Sequence, residues 1–324
     1  MRRLAVAFRS MFDRSAPLAA ALLALALAAP AGAATSVTLP AWVCKQPDVV
    51  FQDVFDAPQA AVPHDPSLGS GGAYPGSQTR TLHVAGLGSG TQNYYLYLPA
   101  DYTPARAWPL MLVLHGVAPY GSADSYAMTT RDNWVTAASA GHFIVVAPVA
   151  DDVIYQNGSP YAVSWLLPYG SEPSDYDLFD AVRADVEAAY NIERTRIYAW
   201  GFSAGGHVLY DLALTEHDAA FNTNTLAAFA VTGADLAAVA CAGLTDAGCN
   251  QLLAMAPRRV PLDIHIGNSD PNYSYAKSDH LRFVAQGWVD WQTVWWNVFV
   301  GGHTYTVDQL GAAWSELCPD ALTP

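Results

Sequence analysis

Cationic residues are scarce in this 324-residue chain. Lys and Arg together number 15 against 29 Asp and Glu, a formal net charge of −14. That deficit argues against nucleic acid or an anionic membrane surface as a partner. Charged residues of either sign make up only 14% of the chain and hydrophobic ones 52%, which excludes a disordered acidic protein. There are four cysteines, Cys44, Cys241, Cys249 and Cys318, and their spacing does not match a zinc site. His64, His83, His142, His217, His265 and His280 also lack metal-ligand spacing, and no His-Glu-x-x-His occurs, so neither metal nor cofactor is expected. Beyond the N-terminal leader no stretch reaches the roughly 18 apolar residues of a membrane span. Internal repeats and low-complexity linkers are absent, and no polymer-binding module is expected at the C-terminus.

What is present begins with that leader. Arg2, Arg3, Arg9 and Arg14 precede an apolar run over 17–29 that ends in Ala31-Gly32-Ala33. This is the pattern of a secretory signal with a small-residue cleavage site, covering about residues 1–33. It implies a secreted or periplasmic protein; Arg2-Arg3 leaves general secretion and twin-arginine export both open. Without the leader the chain is more acidic still, because the leader carries four Arg and one Asp. An even number of cysteines in an exported protein favours two disulfides. Of three pairings, Cys241–Cys249 closes a short loop and Cys44–Cys318 ties the two ends together; these are preferred. A monomer is expected.

Residues 34–78 are rich in Pro, Gly and Ser and read as an irregular N-terminal segment. Residues 79–324 read as one catalytic domain. Its first two strands, 79–85 and 92–99, flank Gly86-Leu87-Gly88-Ser89-Gly90; no helix follows these glycines, so they suit a hairpin turn rather than a phosphate loop. Strands and helices then alternate. Strands are expected at 109–114, 143–149, 196–200, 226–232, 262–266 and 295–300. Helices are expected at 124–140, 176–190, 204–215, around 278–287 and at 308–317. This alternation describes an α/β fold, a mostly parallel sheet with helices on both faces.

Gly201-Phe202-Ser203-Ala204-Gly205 joins the strand ending near Trp200 to the helix that follows. Gly-x-Ser-x-Gly between strand and helix marks a nucleophile elbow, with Ser203 exposed on a sharp turn. A serine hydroxyl needs a base to take its proton and a carboxylate to hold that base. In parallel sheets such groups sit at the carboxyl ends of strands. His303 follows the strand 295–300 through Gly301-Gly302 and is the expected base. Asp270 follows the strand 262–266 through Gly267-Asn268-Ser269 and is the preferred acid. Asp235, after the strand 226–232, competes with it; Asp263 lies within a strand and is set aside. The order Ser203, Asp270, His303 is that of the α/β-hydrolase fold. Backbone N–H groups of Ala204 and Val117 are the expected oxyanion donors. Val117 lies in the turn His115-Gly116-Val117, which His115 is expected to fix by hydrogen bonding. His207, four residues beyond Ser203, is expected to make a packing or loop contact.

Leu114-His115-Gly116, Asp177…Phe179, Tyr190-Asn191-Ile192…Arg196-Ile197-Tyr198, Gly201-Phe202-Ser203-Ala204-Gly205-Gly206 and Gly302-His303 resemble exported poly(3-hydroxybutyrate) depolymerases and feruloyl and acetylxylan esterases. The resemblance runs from about residue 92 to 317. It implies an exported carboxylic-ester hydrolase working through an acyl-serine, with Ser203, Asp270 and His303 as triad. It also implies that Trp165 walls the substrate site. Many members carry Cys or a second Gly where this chain has Val117. Polyhydroxyalkanoate esters are the first substrate reading and plant cell-wall feruloyl or acetyl esters the alternative. A secreted serine peptidase and a non-catalytic binding protein are the rivals. Tyr161, Tyr273, Tyr275, Trp288, Trp291, Trp295 and Trp296 are suited to polyester, aromatic acyl group or sugar, with core or surface packing the favoured reading of each. Trp295 and Trp296 are expected in the strand core, on opposite faces.

Overall fold

The computed structural model describes residues 64–72, 75–88, 90–169 and 173–322. The proposed leader, most of the segment 34–78 and Cys44 lie outside the described residues. Eight strands form the main sheet: β1 (Gly76–Leu82), β2 (Gln92–Leu98), β3 (Trp108–Leu114), β5 (Ile144–Pro148), β8 (Ile192–Phe202), β9 (Ala228–Thr232), β10 (Leu262–Gly267) and β11 (Val294–Phe299). Their order is β1-β2-β5-β3-β8-β9-β10-β11. The first two pairings are antiparallel and every later one is parallel. Among the described residues six α-helices pack on the sheet: α1 (Ala123–Gly141), α2 (Asp175–Ala189), α3 (Ala204–Leu214), α4 (Asp246–Met255), α5 (Tyr273–Ala285) and α6 (Val307–Leu317).

Strand alternation builds two cores. In β3, Leu110, Leu112 and Leu114 point to one face, where α2, α3, α4 and α5 supply Phe179, Leu209, Leu253 and Phe283. Met111 and Val113 point to the other, which α1 and α6 cover with Trp134, Leu310 and Trp314. Strands buried on both faces are why the sequence shows unbroken apolar runs here. Helices therefore cover both faces, as the alternation predicts.

Several elements depart from expectation. β8 starts at Ile192, four residues early, although Glu193 and Thr195 interrupt its apolar pattern. Glu193 is buried because its carboxylate accepts from the Asp65 N–H (2.6 Å) and the Thr195 hydroxyl (2.8 Å). A small antiparallel sheet, β4 (Ala118–Pro119), β7 (Ser159–Ser164) and β6 (Asp152–Gln156), was not anticipated. Its hairpin turn is Asn157-Gly158, both at positive φ (51° and 79°), the strongest short hairpin signal a sequence carries. α4 is a further element the sequence reading lacks; it buries little more than Cys249 and Leu253, and the Thr245 hydroxyl caps it by accepting from the Gly248 N–H (3.2 Å). α5 begins at Tyr273, directly after Pro271-Asn272. Trp295 and Trp296 are half-buried rather than core, since β11 is an edge strand. The Cys241–Cys249 disulfide is present, whereas Cys44–Cys318 involves a residue outside those described. No described helix is long and apolar enough to cross a membrane.

Candidate active site

Ser203 sits between the last residue of β8 and the first of α3, with φ 52° and ψ −119°. A non-glycine residue held there stores roughly 1–3 kcal/mol of strain, and the flanking glycines make the turn possible. A Cβ on Gly201 would lie 2.4 Å from the carbonyl carbon of Gly205, and one on Gly205 would lie 2.3 Å from the Leu114 oxygen. The motif thus encodes close approach of α3 to β8 and β3. The Ser203 N–H donates to Thr232 O at 2.9 Å, fixing the elbow to β9.

The loops leaving β10 and β11 are zipped together. Asn268 N–H donates to Phe299 O (2.9 Å) and Ser269 N–H to Gly301 O (2.8 Å). A Cβ on Gly267 would meet the oxygens of Gly302 and Gly301 at 2.4 and 2.5 Å. This seam brings the acid to the base. Nδ1 of His303 lies 2.8 Å from Oδ2 of Asp270, and Nε2 lies 2.8 Å from Oγ of Ser203. The other Asp270 oxygen accepts from the Asn272 N–H at 2.8 Å, and Asn272 Nδ2 donates to Gly233 O at 3.0 Å. The Asp270 side chain is 1% exposed and that of His303 31%, so a buried carboxylate backs an imidazole open to solvent. Gly233, at φ 66°, leaves the clearance; a Cβ there would come within 3.0 Å of His303 Cε1.

The structure brings together Ser203, Asp270 and His303, and it is Asp270, not Asp235 or Asp263, that hydrogen-bonds the imidazole. Asp235 presents its backbone to His207, whose Nδ1 is 2.9 Å from its O and 3.2 Å from its N. His207 is buried, and that burial holds its pKa below the usual value. Asp263 lies 2.6 Å from His265 Nε2 and accepts from Asn297 Nδ2 at 2.7 Å.

Ala204 is the first residue of α3, so its N–H has no intrahelical acceptor and lies at the positive end of the helix dipole. Val117 is half-buried in the turn between β3 and β4. That turn lies against the serine, since a Cβ on Gly116 would be 3.1 Å from Ser203 Cβ. His115 holds the turn. Its Nδ1 donates to Gly116 O (2.6 Å) and its Nε2 accepts from Ala150 N–H (3.3 Å). Burial pushes its pKa down to about 4, so it stays neutral and serves as a strut. Trp165 does not wall an open cleft. It is 3% exposed, its indole donates to His115 O at 2.9 Å, and its ring lies 4.8 Å from the imidazole of His115. It stands behind the turn because that carbonyl, once buried, requires a donor.

Four residues around His303 went unnoticed in the sequence: Gly233, Asn272, Phe202 and Tyr305. Asn272 lies two residues beyond Asp270, whose carboxylate accepts from its N–H, but nothing local marks the aromatic pair. Among the described residues no group of three His, Cys, Asp or Glu is placed to hold a metal ion.

The strand order, with a serine elbow after β8 and His303 beyond the last strand, is the α/β-hydrolase fold. No protein-family model matches the sequence, and no curated protein matches it. Solved structures do. A ferulic acid esterase aligns with 76% of this chain and 97% of its own, at 16% identity and a TM-score of 0.53. A mutant feruloyl esterase module from Clostridium thermocellum, complexed with sinapinate, aligns over 80% and 93% at 15% identity and 0.53. Fluorophosphonate-binding serine hydrolase F of Staphylococcus aureus aligns over 75% and 95% at 17% identity and 0.50.

Proposed function

We propose that this chain is an exported serine esterase in which Ser203, His303 and Asp270 form the catalytic triad. The observation that carries the reading is the continuous hydrogen-bonded chain Ser203 Oγ, His303 Nε2, His303 Nδ1, Asp270 Oδ2, with both contacts at 2.8 Å. Ser203 Oγ attacks the ester carbonyl while its proton passes to Nε2. Asp270 keeps Nδ1 protonated and stabilises the imidazolium. The N–H groups of Ala204 and Val117 receive the developing oxyanion. The tetrahedral intermediate collapses, Nε2–H protonates the leaving alkoxide, and an acyl-serine remains. Water then attacks that ester, giving its proton to Nε2, and collapse releases the acid and restores the Ser203 hydroxyl.

Substrates in this reading are polyhydroxyalkanoate esters or their oligomers, or feruloyl and acetyl esters of plant polysaccharides. The solvent-open imidazole suits an ester carried on a larger chain, and the neighbours named as feruloyl esterases support the aromatic acyl alternative. The pattern over 1–33 supports export, and the Cys241–Cys249 disulfide suits an oxidising compartment. Purified protein should hydrolyse short-chain p-nitrophenyl esters and label with a fluorophosphonate at Ser203. A panel of polyhydroxybutyrate, feruloylated xylan and acetylated xylan separates the substrates. Labelling unchanged in Ser203→Ala would remove the reading.

A further inference from the structure

Two aromatic side chains connect the candidate base to the far core. Phe202, the last residue of β8, has its ring centroid 4.9 Å from that of the His303 imidazole, with the planes tilted by 37°. Tyr305 meets Phe202 edge-on at 5.0 Å and meets the fully buried Trp200 at 4.8 Å. Trp200 and Phe202 are two residues apart on β8 and so share a face. The Tyr305 hydroxyl accepts from Nδ2 of Asn133 on α1 at 3.1 Å. A line Trp200, Tyr305, Phe202, His303 therefore runs from the core under α1 to the imidazole. Tyr305 also belongs to the loop that carries His303, so it anchors both the loop and the ring that touches the base.

Resting on the triad reading above, we infer that Phe202, held by Tyr305 and Asn133, is a positioning residue that keeps His303 aimed during hydrolysis of the acyl-serine. The need for it follows from the hydrogen bonds. In the free enzyme the imidazole has two tethers, Asp270 at Nδ1 and Ser203 at Nε2. Once Ser203 Oγ is acylated it has no proton to donate, and the second tether is gone. His303 then hangs from Asp270 alone, on a loop that begins Gly301-Gly302 and is open to solvent. It must still point Nε2 at the incoming water. A ring can swing about a single hydrogen bond; an aromatic surface against its face restricts that swing. Phe202 supplies the surface, and the Asn133–Tyr305 bond fixes Phe202. The brace matters less for acylation, when both tethers are intact.

Slowing deacylation alone has a specific kinetic signature. It lowers kcat and KM together and leaves kcat/KM unchanged, because kcat/KM covers only the steps through acylation. Stopped-flow hydrolysis of p-nitrophenyl butyrate by the full-length protein, Phe202→Ala, Phe202→Tyr, Tyr305→Phe and Asn133→Ala tests this. Phe202→Ala should release about one p-nitrophenol per enzyme in a burst. Its steady rate should then fall about tenfold, the scale of a small misplacement of a catalytic group, with kcat/KM within about twofold of the parent. Phe202→Tyr should restore the rate. Tyr305→Phe and Asn133→Ala should each shift kcat and KM in the same sense by less, and the double variant should do no more than either alone. These two remove no ring and serve where Phe202→Ala fails to fold. A fall in kcat/KM equal to that in kcat, or parental kinetics in Phe202→Ala and Tyr305→Phe, would overturn the inference while the triad stands. Parental protein whose turnover survives Ser203→Ala would overturn both.

Discussion

Asp270 Oδ2 lies 2.8 Å from Nδ1 of His303, across the seam between the loops that leave β10 and β11. Two side chains 33 positions apart meet because backbone bonds from Asn268 and Ser269 to Phe299 and Gly301 hold their loops in step. Asp235 comes from the neighbouring strand end yet turns its backbone to His207. In our account, Asp270→Asn lowers kcat by about 10³–10⁴, the scale seen when the carboxylate of a triad is neutralised. Asp235→Asn changes it only a few-fold. Steady-state kinetics on both variants decides between them, and the opposite ranking would transfer the role to Asp235.

Gly205→Ala should damage stability and activity together. Its methyl group would meet the Leu114 oxygen at 2.3 Å, which forces α3 away from β3. Overpacking of this kind costs about 1–3 kcal/mol. A lowered thermal midpoint with lost hydrolysis is the expected result. Unchanged melting would show that the helix can shift without strain.

Trp165→Phe removes the donor to His115 O while keeping an aromatic ring behind the turn. The Val117 turn should loosen, and kcat should fall several-fold as a buried carbonyl loses its partner. Preference among acyl chain lengths should not change, because Trp165 is only 3% exposed. A panel of p-nitrophenyl esters measures both. Altered chain-length preference would return Trp165 to the substrate wall.

Stability should decline from pH 5 to pH 9 through buried carboxyls. Burial pushes Asp218 up to about 8, and Asp279 and Asp320 up to about 7. A carboxyl raised in the folded state favours folding while protonated. That contribution is complete below the ordinary carboxylate range and is lost as pH rises through the folded-state value. Asp218 Oδ1 accepts from the Phe221 N–H, but Oδ2 has no hydrogen-bond partner. Asp218→Asn should therefore melt higher relative to the parent at pH 9 than at pH 5. An equal offset at both pH values would contradict the assignment.

The parallel sheet and the serine elbow were readable because both leave local marks: unbroken apolar runs for strands buried on two faces, and glycines where helix and strand nearly touch. Asp270 and His303 were readable because each follows a strand through a short Gly-containing turn. What escaped notice depends on contacts distant in sequence. Trp165 resembles a substrate wall until its indole is found on His115 O. Glu193 disguises the start of β8 because its partners include Asp65, over a hundred positions away. Phe202 is the variable position of its motif, and only the folded loop carrying Tyr305 gives it a neighbour. The Asn157-Gly158 hairpin is different, since its signal is local.

Hydrolysis of p-nitrophenyl butyrate by the parent and by Ser203→Ala decides whether Ser203 is the nucleophile. The parent should turn over robustly and the variant should lose about 10⁴-fold or more in kcat, with folding intact by circular dichroism. Hydrolysis by Ser203→Ala within tenfold of the parent would contradict that assignment.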